Sequence, residues 1–173
     1  MLYYTHHFEG EIDFHGVGKK RLIMYKVLFM PLRFERELPF DLYPRLRIEG
    51  EIAEVPVRGA WIPVGDGRRY FIVSPEIKKQ SGFDVGDRVE MFFRVDDQNH
   101  VDVPSKLQLA LDVNPTAHDR WKKLTPGKKR MFAFHVLSAK TAPTEARRVD
   151  EAISAIKLGL TLRELKNEDK KRK

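Results

Sequence analysis

Residues 68–95 read RRYFIVSPEIKKQSGFDVGDRVEMFFRV, and every local signal in this stretch favours the same structure. It starts with a short apolar run that is typical of a buried strand. Ser74 and Pro75 then predict a helix start, and Gly82 predicts its end because glycine readily adopts the left-handed conformation that closes a helix. A turn at Gly86 leads into alternating apolar and polar residues, which predict a second, half-buried strand.

The chain before this stretch also shows the twofold periodicity of strands. In residues 8–15 apolar and charged side chains alternate, which predicts one strand with Ile12 and Phe14 on the same buried face. Residues 22–30 are almost continuously apolar and predict a strand covered on both faces. With residues 46–52, residues 57–64 and the stretch above, the pattern predicts six or seven strands, and their short connections favour a small β-barrel.

Beyond Pro104 the apolar period changes from two to about 3.6, which predicts helices. Four helices are expected. Leu107, Ala110 and Leu111 share a face of the first, and the start signals of the other three are Asn114-Pro115, Thr125-Pro126 and Pro143. The last residues have too little apolar surface to offset the entropy of ordering and predict a basic, disordered tail. The sequence therefore predicts an α+β protein with a barrel domain at 1–103, a helical domain at 104–162 and a tail at 163–173.

Composition limits the chemistry of the chain. Its 173 residues, 42% of them hydrophobic, are enough for one good core or two small ones. It contains no cysteine, which excludes disulfides and thiolate chemistry. No apolar run approaches the ~20 residues of a membrane span, and the first fifteen residues lack the pattern of a signal peptide. We therefore expect a cytoplasmic protein.

Positive charge is concentrated in the C-terminal part. The whole chain carries a net charge of +7, whereas residues 104–173 contain 17 Lys and Arg against 8 Asp and Glu, a net of +9. This asymmetry favours an anionic partner, and the candidates are nucleic acid, phosphate and a lipid surface. The predicted anion-binding residues are Lys128, Lys129, Arg130, Lys140, Arg147 and Arg148. The alternative is that these cations form a solvated face or pair with Asp119, Asp150 or Glu151.

Catalytic and metal-binding patterns are not found in the sequence. None of the six histidines has ligand spacing to another histidine or to a carboxylate, so no metal and no cofactor are predicted. No serine lies in a nucleophile-elbow pattern, so no catalytic residue is predicted. One alternative stays open, a small-ligand module or an enzyme with a pocket between barrel and helices. The aromatic residues that would line that pocket are Trp61, Tyr70, Phe92 and Trp121.

Several short motifs together resemble a known family. They are RGAWIPVGDG at 58–67, Gly82, Gly86-Asp87, Val103-Pro104, Leu107, Leu111, Trp121, Leu124-Thr125, Ala139-Lys140 and TEARRV at 144–149. In these motifs, over roughly residues 8–159, the chain is similar to the bacterial YdeI/OmpD-associated, or bacteriocin-protection, proteins. The resemblance implies a double-split β-barrel domain of unknown function with an AbrB-like fold, followed by a helical domain, and it brings no catalytic residues.

In addition to the small-ligand module or enzyme with a pocket, two functions of different classes are expected. The resemblance implies a non-enzymatic binding protein with a role in bacterial stress or envelope defence. The basic C-terminal half and the similarity to DNA-binding barrels favour a nucleic-acid-binding regulator. The same similarity implies that two copies of the chain pair as a homodimer.

Overall fold

The structure is a computed structural model that describes residues 3–172. It has two compact units, one ending at Gln98 and the other starting at Asn99. Within residues 3–172 it contains eight strands and seven helices, and five of the helices lie in the second unit. The predicted α+β class is confirmed.

The first unit contains two antiparallel sheets of four strands each. Its strands are β1 (His6–Glu11), β2 (Asp13–Val17), β3 (Ile23–Phe29), β4 (Arg47–Ile52), β5 (Val55–Ala60), β6 (Ile62–Pro63), β7 (Arg69–Ile72) and β8 (Arg88–Val95). Its helices are α1 (Phe34–Glu37) and α2 (Pro75–Ser81). Sheet A has the order β1-β8-β4-β5 and sheet B the order β2-β3-β7-β6. The pairings in residues 3–172 thus form two open ladders, whereas the sequence predicted one closed barrel.

The single strand predicted at residues 8–15 is in fact two strands that belong to different sheets. β1 pairs with β8 in sheet A, whereas β2 pairs with β3 in sheet B. Ile12 lies between them, only 1% exposed. Its N–H donates to the carbonyl of Asp87 and its carbonyl accepts from the N–H of Gly86, both at 2.9 Å. Because the chain changes sheets here, Phe14 does not follow Ile12 into the core and is 50% exposed, so the predicted shared face is wrong.

A second change of sheet occurs at Trp61, within the strand predicted at residues 57–64. β5 pairs with β4 in sheet A, and β6 pairs with β7 in sheet B. The N–H of Trp61 donates to the carbonyl of Leu46 at 2.9 Å. Its ring lies fully buried, 5.7 Å from the ring of Phe71 in sheet B and 5.5 Å from that of Phe93 in sheet A. Trp61 therefore packs against both sheets at once.

The strand predicted at residues 22–30 is only partly covered. Val27 and Leu28 are fully buried, as the prediction requires. Ile23 and Met24 are about half exposed, so the prediction is wrong for the first part of the strand. The reason is that β7 pairs only with the end of β3, while the start of β3 has β2 as its neighbour.

The stretch at residues 68–95 folds as β7, α2 and β8, as predicted. Gly82 closes α2 with φ of 82°, but the side chain of Ser74 makes no capping hydrogen bond. The carboxylate of Asp84, between α2 and β8, pairs with Lys26 of β3 and with Lys78 at 2.7 Å. These hydrogen bonds, that to Lys26 first, hold the pKa of Asp84 well below its ordinary value. The turn after α2 is therefore tied to sheet B.

The second unit consists of helices with a core of its own. They are α3 (Ser105–Asp112), α4 (Pro115–Lys123), α5 (Pro126–Leu137), α6 (Ala142–Leu158) and α7 (Leu162–Lys171). Asn114, Thr125 and Thr141 cap α4, α5 and α6 with side-chain oxygens. α7 differs from the predicted disordered tail, because Thr161 and Glu164 form a capping box and Leu165 is buried.

The change of sheet at Ile12 gives a test that separates the observed structure from one continuous strand. Ile12→Ala should lower the free energy of unfolding by about 2–5 kcal/mol, because it leaves a cavity in a buried site. Phe14→Ala should cost clearly less, since half of that side chain is already in water. Urea unfolding followed by circular dichroism measures both, and equal costs would contradict the change of sheet.

Candidate ligand-binding cleft in the helical unit

A cleft of about 450 Å³ opens on the second unit where α4, α5 and the end of α6 meet. Its floor is apolar and consists of Leu124, Met131, Phe132, Ile156 and Leu160. Its edge carries three cations, Arg120, Lys123 and Lys128. A mostly apolar concave surface with a few polar groups is the usual form of a small-molecule site.

The joint between α4 and α5 explains why these side chains come together. Arg120 and Lys123 are three residues apart on α4 and therefore neighbours on one face. Leu124 ends α4, and Thr125 immediately caps α5 by accepting a hydrogen bond from the N–H of Lys128 at 3.4 Å. Lys128 and Met131 then share a face of α5 by the same spacing. One tight helix-to-helix joint thus supplies both the cations and part of the apolar floor.

Within residues 3–172 the cations at the cleft edge lack carboxylate partners, as do other cations of this unit such as Lys129, Lys140 and Lys157. Within residues 3–172, Arg120, Lys123 and Lys128 form no ion pair, whereas the neighbouring Lys122 lies 3.9 Å from Asp119. Three further pairs in the unit are Lys106 with Glu145, Arg147 with Glu151, and Lys171 with Glu168. The edge of the cleft therefore offers three cations that, within residues 3–172, have no carboxylate at ion-pair distance.

Glu164 is an acidic residue near Lys128, and its carboxylate already has a hydrogen-bond partner. Its carboxylate accepts a hydrogen bond from the N–H of Thr161 at 2.7 Å. That backbone hydrogen bond first, then the Thr161 side chain, and to a smaller extent the charge of Lys128, lower the pKa of Glu164. Glu164 thus serves the start of α7, where its side chain and that of Thr161 form the capping box.

Gly159 allows Arg120 to approach the end of α6. It closes this helix with φ of 69°, in the left-handed region. A Cβ atom placed on Gly159 would lie 2.9 Å from Nη1 of Arg120. The missing side chain leaves room for the guanidinium, and the negative end of the helix dipole favours a cation there.

The six predicted anion-binding residues do not form one patch. Lys128, Lys129 and Arg130 lie in the first turns of α5, whereas Arg148 lies at its opposite end. There Nη1 of Arg148 donates to the carbonyl of His135 at 3.0 Å and to Oγ of Ser138 at 2.7 Å. A helix of 12 residues is ~18 Å long, which separates the two groups.

The individual surroundings of the predicted residues also differ. Lys128 alone among them lines the cleft. Nζ of Lys129 lies 5.9 Å above the ring of Trp121, and Nη1 of Arg130 donates to the carbonyl of His100 at 2.9 Å. Lys140 and Arg147 are exposed beyond the other end of α5. Their role in anion binding stays a prediction.

Sequence reasoning missed Arg120 and Lys123. Their spacing on a helix just before Thr125-Pro126 was a usable signal, because it places two cations beside the next helix start. The apolar contribution of Ile156 and Leu160 was not visible, since it depends on how the end of α6 packs beside α4. The missed half of the cleft is thus set by tertiary contacts.

A larger cleft, of about 810 Å³, lies in the first unit beside the turn between β4 and β5. Ala53 and Glu54 form that turn with φ of 49° and 65°, left-handed values that are unusual outside glycine. Polar and apolar side chains line it, and its Arg88 pairs with Glu9. The cleft of the helical unit is the better-defined candidate.

Within residues 3–172, no group of three or more His, Cys, Asp and Glu residues is arranged to hold a metal ion.

The fold and the cleft define an α+β protein whose helical unit has an apolar cleft with a basic edge. Residues 100–159 match the model of a family described as "Bacteriocin-protection, YdeI or OmpD-Associated". The matched segment contains α3 to α6 in full and most of the cleft lining. No curated protein matches the chain significantly. In residues 3–172, none of the helices has the length and apolar character needed to cross a bilayer.

The fit of Arg120 against Gly159 predicts the effect of a single methyl group. Gly159→Ala should lower the free energy of unfolding by about 1–2 kcal/mol, the cost of a left-handed residue with a Cβ atom, and it should also displace Arg120. Gly127→Ala on α5 is the matched control, because no neighbour lies within 4 Å of the added methyl. Thermal unfolding measures both changes, and an unaffected Gly159→Ala variant would contradict this geometry.

Proposed function

We propose that the protein is a non-enzymatic binding protein of the bacteriocin-protection type, and that its helical unit carries this function. The supporting observation is the family-model match at residues 100–159. The cleft supports the same proposal, because most of its lining lies in the matched segment. Under this proposal, the protein protects the cell by capturing a ligand.

The first unit is a separate domain in this proposal. We propose that it is the AbrB-like domain of unknown function that accompanies the helical domain, with the boundary near residue 103. The order of strand, short helix, Gly-Asp turn and strand in residues 68–95 supports this assignment. We also propose a cytoplasmic location and a role in bacterial stress or envelope defence.

A protection assay tests the proposed function. In a bacterial strain that lacks the protein, production of the intact chain should raise the bacteriocin concentration that inhibits growth by several-fold. Met131→Glu should abolish protection, because it places a charge on the apolar floor of the cleft. Phe134→Glu is the matched control, since Phe134 is 70% exposed on the same helix and does not line the cleft.

The outcomes of this assay are distinct. If the intact chain gives no protection against any bacteriocin in a broad panel, the proposed function is wrong. Equal protection by the two glutamate variants would show that the cleft is not the working site. Circular dichroism of both purified variants checks that neither loss is due to unfolding.

A nucleic-acid-binding regulator is the second candidate, favoured by the net charge of +9 in residues 104–173. It would use the six predicted cations, of which Lys128, Lys140 and Arg147 are exposed. Under this alternative, phosphate contacts by exposed cations give an affinity that falls steeply with salt.

Fluorescence anisotropy with labelled duplex DNA, single-stranded DNA and RNA tests this candidate across a salt series. A regulator should lose affinity when Lys128, Lys140 and Arg147 are changed together to Ala, and its salt slope should fall by about 1 for each lost phosphate contact. Lys19→Ala with Lys20→Ala, in an exposed loop of the first unit, is the control. Absence of binding at low salt would contradict the regulator.

A further inference from the structure

We propose that the cleft of the helical unit binds a single-chain amphipathic anion, namely an alkyl carboxylate with its chain on the apolar floor and its carboxylate at the cationic edge. This inference rests on the proposed function, because it names the chemistry of the ligand that the binding protein would capture. Two properties of the cleft support it, namely its apolar floor and the three cations at its edge.

The floor fits an alkyl chain. Leu124, Met131, Phe132, Ile156 and Leu160 offer hydrocarbon surface. The volume of about 450 Å³ lies in the range of ~300–1,000 Å³ that holds small ligands. Met131 is 37% exposed although it lies on this floor, so bound hydrocarbon would remove apolar surface from water.

The edge fits a carboxylate. Arg120 and Lys123 are adjacent on α4 and, within residues 3–172, have no carboxylate at ion-pair distance. The planar guanidinium of Arg120 has the geometry to bind a carboxylate through two hydrogen bonds. The ligand carboxylate is placed between Arg120 and Lys123, because both lie on one face of α4 at the edge of the cleft. The positive edge disfavours a cationic head group and gives a neutral one no ion pair.

The same arrangement argues against a polyanion as the ligand of this cleft. A nucleic acid would engage the cations but would leave the apolar floor without a matching surface. It would also prefer cations spread along its backbone, whereas Arg120, Lys123 and Lys128 gather around one opening. One charge joined to one apolar chain satisfies both parts of the cleft.

Calorimetric titration of the full chain with hexanoate, octanoate and decanoate, each below its micelle concentration, tests the proposal. The affinity should rise about fourfold for each added methylene until the floor is covered. Decanol should bind more weakly than decanoate, and decyltrimethylammonium most weakly of the three. A flat chain-length series, or equal binding of decanoate and decyltrimethylammonium, would overturn the proposal.

Matched variants locate the binding site. Arg120→Gln and Lys123→Gln should each weaken decanoate binding several-fold, whereas Lys122→Gln should not, because Lys122 points to Asp119 outside the cleft. Met131→Glu should abolish binding and Phe134→Glu should preserve it. Equal effects of Lys122→Gln and Lys123→Gln would show that any binding is non-specific charge attraction.

Two further comparisons distinguish an alkyl carboxylate from a membrane surface, and an error in the ligand class from an error in the proposed function. Binding to phosphatidylglycerol vesicles without binding of monomeric decanoate would overturn it in favour of a membrane surface. If decanoate does not bind but Met131→Glu still abolishes protection, the ligand class is wrong and the proposed function stands. If decanoate binds at the cleft but the intact chain protects no cell, the ligand class stands and the proposed function fails.

Discussion

Two buried residues, Ile12 and Trp61, mark the points where the chain passes from one sheet to the other, and the first unit depends on them. A strand that changes sheets must keep its peptide groups hydrogen bonded while it leaves one ladder for another. Ile12 does so through the Gly86-Asp87 turn, and Trp61 through the carbonyl of Leu46. The glycine turn in residues 68–95 therefore does more than connect α2 to β8. It also supplies the backbone partners that allow the N-terminal segment to contribute to both sheets.

The helical unit places its functional surface by a different route. Its helices bury one face each, and their ends are fixed by capping side chains such as Thr125 and Thr161. The short joint between α4 and α5 then leaves a gap in the packing, with hydrocarbon at its base and cations at its edge. Within residues 3–172 these cations have no carboxylate at ion-pair distance, so their charge is available to an added anion.

Local chemistry predicted much of this structure, and tertiary contacts account for the rest. The stretch 68–95 and the starts of α4 and α5 were predictable because proline, glycine and capping residues act over a few positions. The exposure of Phe14 was not, since alternation continues unchanged while the chain moves to another sheet. α7 was not predicted, because its one buried residue, Leu165, gives no periodic apolar pattern in the sequence. The packing of Leu165 in the core of the unit stabilises this helix instead. The cleft was only half visible in the sequence, as cations near a helix start, because its floor combines residues distant along the chain.

The exposed start of β3 has a consequence for the behaviour of the protein in concentrated solution. Ile23 and Met24 lie on the outermost hairpin of sheet B, next to an edge strand whose backbone is available for pairing. Such an edge invites two chains to join side by side into larger aggregates. Lys19, Lys20 and Arg21 form the loop of this same hairpin, so two approaching edges bring like charges together. The position of these basic residues fits a gatekeeper role, and because ions screen their repulsion, we expect the colloidal stability of the protein to decrease as ionic strength rises.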